Sequence, residues 1–378
     1  MKILLCIGSY KTRVSGPAVV AEQFFSINES HSEHECHILT NDVDKSTDKV
    51  HKIDINYPRK LGAFDFLICQ FFYYRAIIVL QKQFNFDIIV FGNVQNSLLS
   101  RLLLLRSIKI IGIINDYLTA NARLSMHVTR RRYWFFKYFV RFFEYVATHL
   151  VDMVIVCSDD LRQRIITAYG IKSEKIKTLP LGFDVQNIPF RKNDQPFKSP
   201  IKLLFIKSNL VSGGMDILTT ALTILTEYSF ILTVIGAPDF RKAEIEHLIE
   251  KYPDIHLRFL GFQSQNTVYQ EMQNNDILCT PSRVESLGIA NAEGLANGIS
   301  VVSTREGGIT EVLDYGKNGW LAEPENAKDL VDKLKECIEA DPSLRAEKSQ
   351  YGRLFVEQKF DYKQFNDLFL KTCSALLK

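Results

Sequence analysis

The sequence lacks the features that mark several protein classes. Its seven cysteines are scattered and form no C-x-x-C pair, which predicts reduced thiols in the core of a cytoplasmic protein rather than disulfides. The net charge of +3 is too small to indicate a nucleic-acid binder. No run approaches the roughly 18 apolar residues of a membrane-spanning helix. The short apolar start also lacks the cleavage site of a signal peptide, so we expect neither secretion nor a spanning segment.

Candidate metal ligands are few as well. His31, His34 and His37 surround Cys36, but they overlap a predicted strand and no second ligand cluster follows. A metal site there is the less favoured alternative. We expect no metal and no other cofactor.

The chain does contain a repeated alternation of strands and helices. Its 378 residues suffice for two domains, and 46% hydrophobic with 24% charged residues is typical of a globular protein. The alternation pauses in a polar, proline-bearing stretch at 185–200 and then restarts. This predicts an α/β protein of two doubly wound, Rossmann-like parallel-sheet domains facing a cleft. The predicted parts are residues 1–185, residues 186–359 and a terminal helix at 360–378.

The stretch 280–298 carries the strongest functional pattern. It follows an apolar strand and opens a predicted helix, with Ser286 as its N-cap. Glu285 and Glu293 are eight positions apart, which in a helix separates them by about 80° around the axis. The first-turn N–H groups would bind an anion, and they belong to Leu287, Gly288 and Ile289. The alternative is a capped surface helix with two solvated glutamates.

Other candidate residues follow predicted strands, where ligands bind in such sheets. Gly16 lies before the first helix, although plain turn chemistry explains it equally well. Asn115 and Asp116 end a strand of the first domain. Lys207 ends the first strand after the polar stretch and adds a positive charge. A helix N-terminus, a lysine and two hydroxyl-binding carboxylates together describe a site for a nucleotide sugar.

Residues 121–150 break the alternation with a basic and aromatic run. Six Arg or Lys face one acid there, a local net charge of +5. Such a helix predicts binding to an anionic membrane surface. The alternative is a core helix with a solvated basic stripe. The residues predicted to meet the membrane are Arg130, Arg131, Arg132, Trp134, Lys137 and Arg141.

Several segments resemble, in order, the retaining glycosyltransferases of family 4. The segment from Glu285 to Gly298 is similar to the E-x7-E signature of that family. Three more similar segments are Ser158–Leu161, Lys175–Asp184 and Gly307–Leu321. The resemblance covers most of the chain. It implies a GT-B fold, metal-independent transfer, retention of anomeric configuration, and a last helix that returns to the first domain.

The resemblance also implies roles for individual residues. Glu285 would contact the donor sugar, Glu293 the ribose, and the backbone of Ser286 to Ile289 the diphosphate. Gly16 would lie by the phosphates and the acceptor. Those implied to lie by the base are Gly261, Phe262 and Gln263.

Two departures concern the candidate chemistry. Asn115 stands where the family often has His near the reacting sugar, and we count it with Asp116 and Glu285 as a candidate catalytic residue. The pair Gly213-Gly214 stands where the family has Lys-Gly, and we expect Lys207 to substitute.

The expected function is transfer of a hexose from a nucleotide-diphosphate sugar to a lipid-linked or glycan hydroxyl, with retention. It would serve bacterial cell-surface polysaccharide synthesis at the inner face of the membrane. The alternatives are a nucleotide-sugar epimerase or a phosphorylase on the same fold, and a non-catalytic subunit that binds a sugar nucleotide. Transfer by the purified protein distinguishes the enzyme from the subunit.

Overall fold

The computed structural model describes residues 1–8, 16–41, 43, 46–53, 63–103, 108–116 and 136–378. They divide into two compact units. The first contains the described residues up to Phe183 together with Tyr362–Lys378, and the second contains Asp184–Asp361.

The first unit is built on a parallel sheet. Its described strands are β1 (Lys2–Cys6), β2 (Glu35–Thr40), β3 (Val50–Lys52), β4 (Ile88–Phe91), β5 (Lys109–Ile114), β6 (Met153–Val156) and β7 (Ile176–Thr178). They lie in the order β3-β2-β1-β4-β5-β6-β7, and all pairs are parallel. Every residue of β4 is fully buried, because helices cover both faces of such a sheet.

The helices of this unit connect successive strands. Those in the described ranges are α1 (Gly16–Ser30), α2 (Ala63–Phe84), α3 (Leu98–Leu103), α4 (Arg141–Leu150) and α5 (Asp159–Tyr169). A π-helical turn at Phe136–Val140 precedes α4, and a 3-10 turn at Val94–Ser97 precedes α3. Ser158 caps α5 by accepting a hydrogen bond from the Leu161 N–H, and Gly170 ends it with a positive φ of 65°.

The second unit repeats the architecture with six strands. They are β8 (Ile201–Ile206), β9 (Phe230–Ile235), β10 (Ile255–Gly261), β11 (Ile277–Thr280), β12 (Ser300–Thr304) and β13 (Trp320–Ala322). The order is β10-β9-β8-β11-β12-β13, again all parallel. The helices are α6 (Leu210–Gly213), α7 (Met215–Ile224), α8 (Lys242–Ile249), α9 (Gln265–Asn274), α10 (Ile289–Asn297), α11 (Ile309–Val312), α12 (Ala327–Glu339) and α13 (Pro342–Lys359).

The predicted fold class is confirmed, since both units are doubly wound parallel sheets. The polar stretch at 185–200 is more ordered than a linker, because Arg191 donates to the carbonyls of Gln273 and Asn275 and ties it to the second unit. The last helix, α14 (Tyr362–Leu377), packs on α1 in the first unit. Where the chain re-enters that unit, the Tyr362 N–H donates to the Phe183 carbonyl at 3.1 Å.

No helix among the described residues is both long enough and apolar enough to cross a membrane.

Candidate functional site

The candidate site lies where the strand order of the second sheet reverses. β8 and β11 are neighbours in this sheet, with β9 and β10 on one side and β12 and β13 on the other. The loops that follow two such strands diverge and leave a crevice at the carboxyl edge of the sheet. Lys207 follows β8, and the 281–288 loop follows β11 and leads into α10. The sheet order therefore brings Lys207 close to the glutamate-bearing stretch.

Lys207 and Glu285 form an ion pair at this edge, although they are 78 positions apart in the sequence. The Lys207 Nζ donates to the Glu285 Oε2, and the two side chains are 20% and 21% exposed. The ammonium and the carboxylate are thus partly desolvated, which strengthens their attraction relative to a pair in open solvent.

Two glycines explain how Lys207 reaches this position. A Cβ at Gly213 would lie 2.8 Å from the Lys207 Cγ and 2.7 Å from the Phe205 ring, so the lysine stem fills the space that a side chain at 213 would need. A Cβ at Gly214, whose φ is 74°, would lie 2.1 Å from the Pro281 carbonyl oxygen. Glycine at both positions lets α6, the lysine stem and the loop after β11 approach each other closely.

The helix after the loop begins later than predicted. Gly288, with φ of 91°, is the N-cap of α10 and, as a glycine, has no side chain with which to cap the helix. The prediction of Ser286 as the N-cap is therefore wrong, because the chain turns through the left-handed region two residues further on. Of the three residues whose N–H groups were assigned to the first turn, only Ile289 lies in the helix.

The position of the two glutamates is corrected as well. Glu285 lies in the loop, with its Cγ 3.7 Å from the place of a Cβ at Gly288, and so stands beside the helix N-terminus. Glu293 alone lies on α10, in its second turn. An uncapped N-terminus, an ammonium and a carboxylate are thus contiguous, which suits a ligand with both anionic and hydroxyl groups.

Glu293 is held by α9 on the other side of α10. Its Oε1 accepts hydrogen bonds from the Gln265 Nε2 at 2.6 Å and from the Tyr269 hydroxyl at 3.4 Å. Burial raises the pKa of Glu293 to about 7, and the two donors oppose that rise. Gln265 and Tyr269 favour the ionised form of Glu293, which is the form that accepts hydrogen bonds from hydroxyls.

Arg283 anchors the loop that carries Glu285, and no sequence pattern pointed to it. Its guanidinium is 11% exposed and binds both carboxylate oxygens of Asp216, at 2.6 and 2.7 Å. It also donates to the Val211 carbonyl and to Glu325. Two parallel hydrogen bonds from a planar guanidinium to a carboxylate fix the orientation of the pair as well as its distance. They therefore tie the loop to the start of α7.

The predicted base-binding residues lie at the end of β10. Gly261 has φ of 64°, and a Cβ there would lie 2.7 Å from the Asp239 carboxylate. The Gln263 side chain donates to the Leu260 carbonyl, and Phe262 is 57% exposed. An exposed ring beside a tight turn offers a face for stacking.

The remaining candidates belong to the first unit. Gly16 opens α1, and Asp116 is exposed directly after β5. The Asn115 Nδ2 donates to the Gly92 carbonyl at 3.0 Å, which joins the loops after β4 and β5. Asn115 and Asp116 therefore lie at the carboxyl edge of the first sheet, whereas the residues that join β1 to Gly16 are outside the described ranges.

The predicted membrane segment falls largely outside the described residues. This holds for Arg130, Arg131, Arg132 and Trp134, and for the side chain of Lys137. Arg141 is described at the start of α4, with its guanidinium 5.9 Å from the centre of the Tyr169 ring. The Tyr169 hydroxyl donates to the buried Glu144 carboxyl at 2.5 Å, and burial raises the pKa of Glu144 to about 7.

Of the candidate metal ligands, His37 is paired with His51 and with Glu35. The His37 ring is buried, and its nitrogens lie 2.8 Å from His51 and 2.8 Å from Glu35. No group of three or more His, Cys, Asp or Glu side chains arranged to hold a metal is found within the described ranges.

Two glycosyltransferase family models match the chain in succession. The model described as Glycosyltransferase Family 4 matches residues 30–187, and the one described as Glycosyl transferases group 1 matches residues 187–355. Together they indicate a glycosyltransferase of the GT-B type.

Curated relatives agree with these matches. An uncharacterised glycosyltransferase of Methanocaldococcus jannaschii is 29% identical over 231 residues, 59% of either chain. The amylovoran biosynthesis glycosyltransferase AmsK of Erwinia amylovora is 25% identical over 179 residues, 45% of this chain and 44% of AmsK. The chain thus spans about half the length of the curated relatives it matches.

Solved structures share the whole architecture. Sucrose-phosphate synthase from Thermosynechococcus elongatus superposes with a TM-score of 0.79 at 15% identity, over 99% of this chain and 98% of the other. HepE of Anabaena, in complex with UDP and glucose, gives a TM-score of 0.73 at 19% identity, over 99% and 100%. The chain has the GT-B fold.

Proposed function

We propose that this protein transfers a hexose from a nucleoside-diphosphate sugar to a hydroxyl acceptor, with retention of anomeric configuration and without a metal ion. One observation carries the proposal. At the switch point of the second sheet, Lys207, Glu285 and the uncapped start of α10 are contiguous.

Each group has a task in this reaction. The bond between the anomeric carbon and the phosphate oxygen breaks, the acceptor oxygen bonds to that carbon, and the acceptor proton passes to the departing diphosphate oxygen. Negative charge develops on the departing diphosphate, where the Lys207 ammonium and the α10 N-terminus stabilise it. Glu285 accepts hydrogen bonds from sugar hydroxyls, and Glu293 accepts them from the ribose. Asn115 and Asp116 are proposed to act near the reacting sugar, and Gly16 to lie by the phosphates and the acceptor.

The proposed acceptor is a lipid-linked or glycan hydroxyl of a cell-surface polysaccharide. AmsK, one of the matched relatives, is named as a glycosyltransferase of amylovoran biosynthesis. The basic and aromatic run at 121–150 supports peripheral binding at the inner face of the cell membrane. Charge reversal at Arg130, Arg131, Arg132, Lys137 and Arg141 should abolish co-sedimentation with anionic vesicles, and unchanged sedimentation would remove this part of the proposal.

The test of the donor site is a thermal-shift screen of nucleoside diphosphates and their sugars, because a ligand that binds only the folded state raises the melting temperature. UDP-sugars come first, since HepE was solved with UDP and glucose. The ligand that stabilises the protein is then assayed for hydrolysis and transfer, with and without EDTA, and NMR assigns the anomeric configuration of the product. A protein stabilised by no nucleotide would refute the proposal. Binding without turnover would favour the non-catalytic subunit.

A further inference from the structure

We propose that the Glu285 carboxylate and a diphosphate compete for the ammonium of Lys207, and that a diphosphate binds by replacing the carboxylate. The Lys207 ammonium passes from the carboxylate to a phosphate oxygen, which releases Glu285 to accept hydrogen bonds from the sugar. This inference rests on the proposed function and adds to it an exchange of partners between the two residues.

The first argument is that the lysine stem has a fixed place. The Lys207 N–H donates to the Ile235 carbonyl at 3.0 Å, which holds its backbone at the edge of the sheet. Its Cβ and Cγ lie 3.0 and 2.8 Å from where a Cβ of Gly213 would be, so the stem is packed against that glycine. Only the ammonium end of the Lys207 side chain can therefore change its hydrogen-bond partner.

The second argument is charge. Ammonium and carboxylate cancel in the ion pair, so an approaching diphosphate meets little net attraction from it. The pair is also about one-fifth exposed on each side, within reach of solvent and ligand. A phosphate that takes over the ammonium offers more oxygens and more negative charge than the carboxylate does.

The third argument concerns the Glu285 carboxylate after it has lost the Lys207 ammonium. The released carboxylate stands beside the α10 N-terminus, with its Cγ 3.7 Å from the place of a Cβ at Gly288. There it is compensated by the helix dipole rather than left as an isolated charge. A diphosphate carrying a sugar supplies hydroxyl donors for the carboxylate, whereas a bare diphosphate does not.

The test compares UDP, GDP and ADP with their glucose conjugates and with their nucleosides, by titration calorimetry on five proteins of the 378-residue chain. These are the wild type, Lys207→Met, Glu285→Gln, Glu285→Asp and Glu347→Gln, the last removing an exposed acid elsewhere in the same unit. Lys207→Met should lower the affinity for the diphosphate by about tenfold, because a charge-assisted contact is lost. Glu285→Gln should raise the affinity for the diphosphate by about fivefold, because the diphosphate no longer has to break a partly exposed ion pair. Glu347→Gln and all nucleosides should show no change.

Glu285→Asp separates release of the lysine from simple removal of negative charge. The shorter side chain keeps the charge but withdraws it from the Lys207 Nζ. Tighter diphosphate binding by this variant supports the exchange of partners, whereas wild-type affinity would mean that Glu285 acts only by repulsion. In both Glu285 variants the sugar nucleotide should lose affinity relative to the bare diphosphate.

Other results overturn the inference. A Lys207→Met protein with unchanged diphosphate affinity would show that the lysine stays with Glu285, and weaker binding by Glu285→Gln would show that the ion pair builds the site. If the wild type binds a diphosphate and the variants behave in these ways, the inference alone fails. If the wild type binds none of the three diphosphates, the proposed function fails with it.

Discussion

Replacing Glu293 by Gln should remove a pH-dependent part of the free energy of unfolding. Burial raises the pKa of this carboxyl from its ordinary 4.5 to about 7. Between these two values the unfolded chain has released the proton that the folded protein still holds. Stability therefore falls as the pH rises from about 4.5 to about 7, and it is constant above that range.

The size of the effect follows from the shift. At 1.36 kcal/mol for each pKa unit, a carboxyl shifted this far contributes at most about 3 kcal/mol across the window. Gln is neutral throughout and keeps an oxygen that can accept from Gln265 and Tyr269. The variant should thus equal the wild type near pH 4.5 and exceed it by up to about 3 kcal/mol near pH 8.

Urea unfolding between pH 4.5 and 8.5, followed by circular dichroism, measures this difference. Glu144 titrates in the same direction in the first unit, so the wild-type curve alone does not isolate Glu293. The difference between the two proteins does, and carbon-13 NMR of the carboxyl carbon gives the pKa directly. Glu347→Gln controls for the change in net charge. Parallel curves for the wild type and Glu293→Gln would refute the argument.

The same carboxyl predicts a pH dependence of binding. The proposed ribose contact requires the ionised form of Glu293, so affinity for a nucleoside diphosphate should rise as the pH passes through about 7. The Glu293→Gln protein should show a smaller change over the same range by calorimetry, and an identical pH profile would exclude contact with the carboxylate.

Two further substitutions test the packing around the site. Gly298→Ala should lower the free energy of unfolding in urea by about 3 kcal/mol, because the new Cβ would lie 2.0 Å from the Arg191 carbonyl oxygen. The control is Gly170→Ala, which also has a positive φ but lies in open space and should cost only about 1 kcal/mol. Equal losses in the two variants would contradict the contact at residue 298. Arg283→Met should lower the free energy of unfolding by about 2 kcal/mol and weaken diphosphate binding, since the loop loses its link to Asp216. Arg283→Lys keeps the positive charge but not the two-pronged contact. Wild-type diphosphate affinity in this lysine variant would show that the two-pronged geometry is not needed.

The sequence was sufficient for most of the architecture because strand and helix periodicities are local. The bounds of α5, from Asp159 to Tyr169, follow from a serine cap and a glycine end that are visible in the chain. The start of α10 was misplaced because Ser286 satisfies the same local rule. The N-cap is instead Gly288, whose φ is 91° and where a Cβ would lie 3.0 Å from the Ile309 Cγ1, a contact between distant parts of the chain.

The partners within the site could not be predicted in the same way. The Lys207–Glu285 pair requires β8 and β11 to be neighbours, and that adjacency depends on the order of the whole sheet. The contact of Glu293 with Tyr269 arises where α9 packs beside α10, 24 positions away. A spacing pattern identifies which residues carry chemistry, but the identity of the group facing each one is a long-range property.

The hydrogen bond between the Tyr362 N–H and the Phe183 carbonyl has a topological consequence. The chain leaves the first unit after residue 183 and returns at residue 362, so the exit and the return are one peptide hydrogen bond apart. Residues 184–361 are in this sense an insertion whose two ends coincide. A fragment limited to them would start and finish at one point on its surface, and a short turn could rejoin the flanking segments without stretching either.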